Sequence, residues 1–301
     1  MLLFPIVNQT KSLRRVLPAL VVMFTLILSQ GTLQPPPAAA QPFSSSSLLP
    51  GSSRGVGGQT FPLAVGQRDV LVSLPENYDP ALARPVLLAF GGWGVAPEEM
   101  AASTGLRPGS DAIIAYARGV DNAWAGAPYA RTSLEQDTAY ARAIVDAIAE
   151  HHPVDRARVY AIGHSNGGAF ATALACRAPD LVAGVVSVAG MFYNQVDEGC
   201  PGGGVPVMLI HATNDDVALI DGGVRHGAPF LSTREVFQRW GARNGCQPVT
   251  TGQMLPAIGA THQAWSGCRA DTELVVSESA GHQWPAHAPA LARDFLSRQF
   301  G

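Results

Sequence analysis

From about Phe61 onward, the chain alternates short apolar runs with longer amphipathic segments. The run Val-Leu-Leu-Ala-Phe at 86–90 is continuously apolar, which is typical of a strand covered on both faces. Segments of this kind predict strands at 61–65, 69–74, 86–90, 111–117, 158–162, 184–189, 206–211 and 272–277.

The segments between these strands have the periodicity of helices. In 132–150, Tyr140, Ile144 and Ile148 recur every four residues, and Thr132 with Glu135 matches a capping box at the helix start. Further helices are predicted at 166–177, 230–243 and 287–299. Strands alternating with helices predict an α/β fold with a mostly parallel central sheet and helices on both faces, the first two strands forming an antiparallel edge.

The N-terminal part of the chain differs in composition from the rest. A basic stretch from Lys11 to Arg15, an apolar run from Val16 to Leu28 and a segment ending at Ala40 predict a cleaved signal peptide at 1–40. An uncleaved membrane anchor is the alternative, although the apolar run is shorter than the ~20 residues that a spanning helix needs. Residues 41–58, rich in Ser, Gly and Pro, predict a flexible leader, and 59–301 predict a single folded domain.

Charge narrows the class of partner. The chain has 301 residues, of which 47% are hydrophobic and 14% charged, enough to bury one large core. Removing Lys11, Arg14 and Arg15 from the 20 basic residues leaves 17 against 23 acidic ones in the part that follows the signal. This acidic balance argues against nucleic acid or an anionic membrane as a partner.

Export makes the four cysteines informative. An even number in an oxidising compartment indicates disulfides, and the four residues permit three pairings. We expect Cys176 to pair with Cys200 and Cys246 with Cys268, because each pair links the end of a predicted helix to a nearby loop. Four buried free thiols are the alternative.

The segment 158–168, RVYAIGHSNGG, places Gly-x-Ser-x-Gly between a predicted strand and a predicted helix. That context is the one that a nucleophile elbow requires, so Ser165 is the candidate nucleophile. A tight turn with a structural serine is the alternative. The second match to the pattern, at 51–55, lies in the leader without a strand before it or a helix after it, and we interpret it as chance.

A serine nucleophile needs a base and an acid that orients the base, and in this context their order along the chain is Ser, acid, His. His282 follows the strand 272–277, and Asp215 and Asp216 follow the strand 206–211. Parallel sheets place their ligands beyond the carboxyl ends of such strands. His287 competes with His282 but lies where the last helix is predicted to begin.

Acyl transfer also needs amide donors for the developing oxyanion. The backbone N–H of Asn166, the residue after the nucleophile, is one. The glycine-rich loop 91–94 supplies the other, with Gly92 as the candidate and Trp93 as its alternative. A glycine-rich turn without a ligand role is the competing interpretation.

Three tryptophans lie in or near loops expected to ring the nucleophile: Trp93, Trp124 and Trp284. Their flat faces suit an aryl acyl group or a sugar ring, so we expect them to bind substrate, with core packing as the alternative for each. No HExxH or cysteine-pair spacing indicates a metal, and the proposed chemistry requires no cofactor.

From about Val70 to Phe300, these segments resemble the secreted polyhydroxybutyrate depolymerase and feruloyl esterase-like family of α/β-hydrolases. The motifs that carry the resemblance are VDR at 154–156, GHSNGG at 163–168, HATND at 211–215 and GHQWP at 281–285. The last is the most specific, because Trp and Pro after the histidine are not general to α/β-hydrolases. The resemblance implies that Asp215 is the acid rather than Asp216, and it supports the pairing of Cys246 with Cys268.

The resemblance implies a secreted enzyme that hydrolyses carboxylic esters of short hydroxyalkanoate, feruloyl or acetyl groups, on small molecules, polysaccharide or polyester. Family membership alone does not choose among these. The chain departs from the family pattern in two respects: Phe90-Gly91 stands where His-Gly is usual, and the segment after Asp215 lacks the aromatic residue that is often found there. Two alternatives are a serine peptidase on the same fold and a non-catalytic ester-binding or glycan-binding protein with a vestigial triad.

Overall fold

The computed structural model describes residues 57–201 and 203–299. The predicted signal peptide and the leader up to residue 56 lie outside the described residues. Within the described ranges, no helix is long and apolar enough to cross a membrane.

A ten-stranded sheet organises the domain, in the order β1-β2-β4-β3-β5-β6-β7-β12-β11-β10. Its six central strands, from β4 to β12, run parallel, and an antiparallel pair extends the sheet at each end. This confirms the mostly parallel sheet and the antiparallel edge made by the first two strands. The strands are β1 (Thr60–Val65), β2 (Arg68–Ser73), β3 (Arg84–Phe90), β4 (Ile113–Ala117), β5 (Val154–His164), β6 (Gly184–Val188), β7 (Val207–Ala212), β8 (Gly223–Arg225), β9 (Ala228–Phe230), β10 (Gln247–Leu255), β11 (Ala260–Ser266) and β12 (Thr272–Ser277).

Helices cover both faces of this sheet. The residues of β3 show how: Val86, Leu88 and Phe90 join one apolar layer, whereas Leu87 and Ala89 join the layer on the opposite face. Helices α2, α3 and α5 contribute to the first layer, and α1 and α6 to the second. The helices are α1 (Pro97–Ser103), α2 (Leu134–Ala149), α3 (Asn166–Arg177), α4 (Asn194–Asp197), α5 (Thr233–Arg243) and α6 (Ala288–Ser297), with a 3₁₀ turn at Pro256–Ile258.

The capping box of α2 is a correction to the sequence analysis. The reciprocal hydrogen bonds join Ser133 and Gln136, one residue later than predicted. Thr132 instead donates its hydroxyl to the buried carboxylate of Asp137 at 2.7 Å. Thr132 with Glu135 and Ser133 with Gln136 both match the capping pattern, and the hydrogen bond of Thr132 to Asp137 leaves Ser133 as the cap.

Several elements were not predicted. The small sheet of β8 and β9 has only three residues in each strand, and β10 is exposed at eight of its nine positions. Neither pattern produces the apolar run or alternation by which a buried strand is recognised. Helices α1 and α4 are likewise only seven and four residues long.

Both predicted disulfides are present, and the described residues contain no free cysteine. Cys176 near the end of α3 joins Cys200 after α4, closing a separation of 24 residues. Cys246 after α5 joins Cys268 after β11, closing a separation of 22 residues. The pairing is therefore local in both cases, as expected.

Candidate active site

Ser165 stands at the sharp turn between β5 and α3. Its backbone lies at φ 54° and ψ −118°, a strained conformation for a residue with a side chain. A Cβ on Gly163 would overlap the carbonyl group of Gly167, and a Cβ on Gly167 would overlap the carbonyl oxygens of Phe90 and Gly91. The two glycines of the motif thus permit the close approach of strand, helix and neighbouring loop that presents the serine.

A hydrogen-bonded chain connects Ser165, His282 and Asp215. His282 Nε2 lies 2.8 Å from Ser165 Oγ, and His282 Nδ1 lies 2.8 Å from Asp215 Oδ2. The three residues follow β5, β7 and β12, whose parallel carboxyl ends meet at one edge of the sheet. This is the geometry of a nucleophile, its base and the acid that orients the base.

The carboxylate of Asp215 is buried and held in one orientation. Its Oδ1 accepts the backbone N–H groups of Val217 at 2.9 Å and Ala218 at 2.8 Å. Burial raises the pKa of Asp215, but hydrogen bonds from His211, His282 and Val217 together outweigh it, so that the pKa is held below its usual range. The carboxylate is therefore ionised at neutral pH, as an acceptor for the His282 N–H must be.

The two competing residues lie outside this chain of contacts. Asp216 is exposed, whereas its neighbour Asp215 is buried. His287 stands at the N-terminus of α6, as expected; it is half-buried, and its Nε2 has no hydrogen-bond partner among the described residues.

His164, the residue before the nucleophile, packs beside the base. Its ring centroid lies 5.2 Å from that of His282. Burial, aided by the proximity of His282, lowers the pKa of His164 to about 4. At neutral pH this ring is therefore uncharged and adds no positive charge next to His282.

Two loops flank Ser165 with backbone amides. A Cβ on Gly92 would lie 3.3 Å from Ser165 Cβ, so the loop that follows β3 runs directly beside the nucleophile. In the described part of the chain, the N–H groups of Gly92, Trp93 and Asn166 form no hydrogen bond with another residue. Gly92 and Asn166 therefore lie beside the serine with amides that have no acceptor among the described residues, as oxyanion donors require, and Trp93 is the next residue along the loop.

Trp124 requires a correction, because it is a core residue and does not face substrate. It is 1% exposed and packs between Phe90 and Phe170, with ring centroids 4.8 Å and 5.2 Å away. Its indole N–H donates to the carbonyl oxygen of Gly91 at 3.0 Å. Trp124 therefore stabilises the loop after β3 from its buried side, through the hydrogen bond to Gly91.

The other two tryptophans lie closer to solvent. Trp93 is 52% exposed and stacks on Tyr129, with ring centroids 4.2 Å apart and an interplanar angle of 17°. The ring of His226 stands edge-on to both of these rings, at 5.2 Å and 5.1 Å. Trp284 is half-buried, 6.3 Å from the ring of His164.

Sequence reasoning missed Tyr129 and His226 as partners of Trp93. Tyr129 lies in a long irregular segment between β4 and α2, and His226 in the turn between β8 and β9. Such segments have no periodicity from which spatial neighbours can be inferred. Across the described ranges, no group of three or more His, Cys, Asp or Glu residues is arranged to hold a metal ion.

Comparisons with known proteins agree with this architecture. Residues 122–202 match the family model described as alpha/beta hydrolase fold. The acetyl xylan esterase from Aspergillus awamori superposes with a TM-score of 0.60 at 12% identity, over 79% of this chain and 98% of that one. The Bacillus cereus carboxylesterase gives a TM-score of 0.52 at 17% identity, over 78% and 96%. At these identities the superpositions show the fold.

Sequence relatives are more specific. The chain is 34% identical to NocK of Nocardia uniformis subsp. tsuyamanensis, a protein named as an esterase, over 71% of this chain and 67% of that one. It is 30% identical to feruloyl esterase C of Emericella nidulans, over 72% and 77%. The chain therefore belongs to the esterase family of α/β-hydrolases that these relatives represent.

Proposed function

We propose that this carboxylic ester hydrolase is a secreted serine esterase that works through an acyl-enzyme on Ser165. The observation that carries the proposal is the contact of Ser165 Oγ with His282 Nε2 at 2.8 Å, in a histidine whose other nitrogen meets Asp215. A serine hydroxyl is a weak nucleophile unless a base accepts its proton, and this contact provides the base.

In the first half-reaction, Ser165 Oγ attacks the ester carbonyl carbon and its proton passes to His282 Nε2. The carbonyl oxygen becomes an oxyanion, which the N–H of Asn166 and that of Gly92 or Trp93 stabilise. His282 then returns the proton to the departing alcohol oxygen, leaving the acyl group on Ser165. Water, deprotonated by His282, releases the acid in the second half-reaction, while Asp215 keeps Nδ1 protonated throughout.

The substrates we propose are soluble esters with a short acyl group or an aromatic acyl group, including esters on polysaccharide and short hydroxyalkanoate esters. Trp93 supports this class, because Tyr129 covers one of its faces while about half of its surface remains open. Its neighbours hold it in place, so a flat ring can stack on it at little cost in side-chain entropy. The relatives named as feruloyl esterases are consistent with this class.

Secretion is supported by the two disulfides, which form and persist in oxidising compartments. The predicted signal peptide and relatives of the feruloyl esterase class agree with it. N-terminal sequencing of the exported protein tests cleavage after Ala40. An intact N-terminus that fractionates with membranes supports the anchor instead.

An active-site-directed organophosphate tests the mechanism. We expect one adduct per chain, located on Ser165 by peptide mass spectrometry and absent from Ser165→Ala. An unlabelled Ser165 in folded protein contradicts the proposal and favours a binding protein with a vestigial triad.

A panel of substrates tests the class of ester. We expect hydrolysis of 4-nitrophenyl butyrate, methyl ferulate and acetylated xylan, and slow clearing of a polyhydroxybutyrate film. Trp93→Ala should raise KM for methyl ferulate several-fold and leave kcat within about twofold, because the ring binds substrate and transition state alike. Leu82→Ala is the matched control, because it truncates an exposed side chain in the loop before β3, at the amino ends of the parallel strands. Rapid clearing of the film with negligible activity on the other three substrates contradicts the proposal.

A further inference from the structure

His211 lies beneath the catalytic site and takes no part in the mechanism described above. It is the penultimate residue of β7, and its side chain is 1% exposed. A buried imidazole requires partners for both nitrogens, so its contacts define what it does there.

The proton of His211 is located by its neighbours. Nε2 lies 2.7 Å from the carbonyl oxygen of Ala218, which can only accept a hydrogen bond, so Nε2 carries a proton. Nδ1 lies 2.8 Å from the hydroxyl of Thr233, which can donate or accept. The ring is thus held at both ends, with an N–H directed toward the loop that bears Asp215.

The same nitrogen lies near the catalytic carboxylate. His211 Nε2 is 3.3 Å from Asp215 Oδ2, the oxygen that also meets His282 Nδ1 at 2.8 Å. Ala218 completes the arrangement, because its N–H donates to Asp215 Oδ1 while its carbonyl accepts from His211. Two imidazoles therefore converge on one oxygen, and two backbone amides on the other.

We propose that His211 is a positioning residue for the catalytic acid. Its Nε2–H, donated to the Ala218 carbonyl, fixes the loop that bears Asp215, and the same nitrogen, 3.3 Å from Oδ2, keeps that oxygen in line with His282 Nδ1 and disperses its negative charge. Without it, Oδ2 would have His282 as its one side-chain donor, and the two amides on Oδ1 alone would oppose rotation of the carboxylate about its Cβ–Cγ bond. The inference rests on the proposed role of Asp215 in the serine esterase mechanism.

Removal of the imidazole has a predictable effect on the pH profile. The titratable groups facing this cluster are Asp215, His282 and His164, with Asp216 exposed beside them. The contact with His211 helps to lower the pKa of Asp215, so its loss leaves more negative charge on Oδ2. That charge stabilises positive charge on the adjacent ring of His282. The acid limb of the kcat/KM profile should therefore move to higher pH.

The experiment compares His211→Leu, His211→Gln and the wild type in the full-length exported protein. Rates on 4-nitrophenyl butyrate are divided by the active fraction, measured by organophosphate titration. We expect His211→Leu to lower kcat roughly tenfold to a hundredfold with a small change in KM, and to move the acid limb upward by about half a pH unit or more. His211→Gln, whose amide N–H reaches about the position of Nε2, should recover part of both effects.

His262→Leu is the matched control, because His262 Nε2 lies 2.8 Å from another largely buried carboxylate, Glu273, near the start of β12 and away from the triad. It should leave the acid limb in place. A merely structural role for His211 would reduce the active fraction but leave kcat per active site and the acid limb unchanged, and that result overturns the proposal.

One further variant keeps the inference testable if His211→Leu does not fold, and a second background separates a failure of this inference from a failure of the proposed serine esterase mechanism. Thr233→Val removes the hydroxyl that orients the ring and should shift the profile in the same direction by less. In an Asp215→Asn background, His211→Leu should add little, because both changes act through one carboxylate. If Asp215→Asn retains wild-type activity, the assignment of the acid fails. If it is nearly inactive while the His211 and Thr233 variants keep the wild-type profile, only the inference about His211 fails.

Discussion

Asn166 forms a reciprocal pair of hydrogen bonds with the backbone of Trp124. Its Oδ1 accepts the Trp124 N–H at 2.7 Å and its Nδ2 donates to the Trp124 carbonyl at 3.0 Å, with both residues buried. Trp124 in turn donates its indole N–H to Gly91. The residue after the nucleophile and the loop that follows β3 are thereby connected through one buried tryptophan, so the two sides of the candidate oxyanion site are held at a fixed separation.

We predict that Asn166→Ala lowers kcat roughly tenfold to a hundredfold, with a smaller change in KM. The variant retains the backbone N–H of residue 166 but leaves two buried backbone groups of Trp124 without partners. The candidate oxyanion donors are then no longer held at a fixed separation. Kinetics on 4-nitrophenyl butyrate, corrected for active fraction, measure the effect. Thr172→Val, which removes a buried hydroxyl bond elsewhere in α3, is the control. Equal losses in the two variants contradict the prediction.

The triad makes a graded prediction. Ser165→Ala or His282→Ala should lower turnover by roughly 10⁵ to 10⁶, and Asp215→Asn by on the order of 10⁴, because the asparagine amide favours the wrong tautomer of the base. Asp216→Asn, one residue away and exposed, should stay within about threefold of the wild type. Turnover under saturating ester decides the order. A greater loss in Asp216→Asn than in Asp215→Asn would transfer the role of acid to Asp216.

Gly167→Ala should prevent the elbow from forming. The added methyl group would overlap the carbonyl oxygens of Phe90 and Gly91, which cannot move without displacing the loop beside the nucleophile. We expect a loss of more than about 3 kcal/mol in the free energy of unfolding, or no soluble protein. Gly252→Ala, at a position in β10 where a Cβ meets no atom within 4 Å, is the control. Normal thermal unfolding of Gly167→Ala contradicts this prediction.

Asp197 makes stability depend on acid pH. Burial raises the pKa of its carboxyl, but the hydrogen bonds and charges of Arg243 and Arg239 together lower it below the ordinary value. A carboxyl with a lowered pKa in the folded state contributes stability above its unfolded pKa of ~3.9, and that contribution disappears as the pH falls toward the folded value.

The free energy of unfolding of Asp197→Asn should therefore be about 3 kcal/mol lower than that of the wild type at neutral pH. The difference should shrink as the pH falls below about 4. Denaturant unfolding at several pH values measures it. Asp180→Asn breaks an exposed pair with Arg142 and should cost less than about 1 kcal/mol. A difference for Asp197→Asn that is constant with pH would show that its charge is not the cause.

The buried parallel strands could be located from sequence because each is a continuous apolar run. β12 was predicted at its observed bounds, and β5 and β7 within a few residues. The strand pair β10 and β11 could not, because it extends the sheet into solvent and its residues alternate in no regular way. Apolar periodicity indicates burial, so a strand that buries few side chains has no apolar pattern from which it can be predicted.

Local features of the sequence predicted the class of fold and the disulfide pairing that the structure shows, and they named the candidate nucleophile, base and acid whose side chains the structure brings together. Each depends on local features: a glycine pattern between strand and helix, a histidine after a strand, cysteines close together in the chain. The folded structure was needed to show that Trp124 is a core residue, that Tyr129 and His226 contact Trp93, and that His211 lies 3.3 Å from Asp215. These relationships join residues brought together by separate loops and strand ends, and side-chain packing across such distances has no periodicity in the chain.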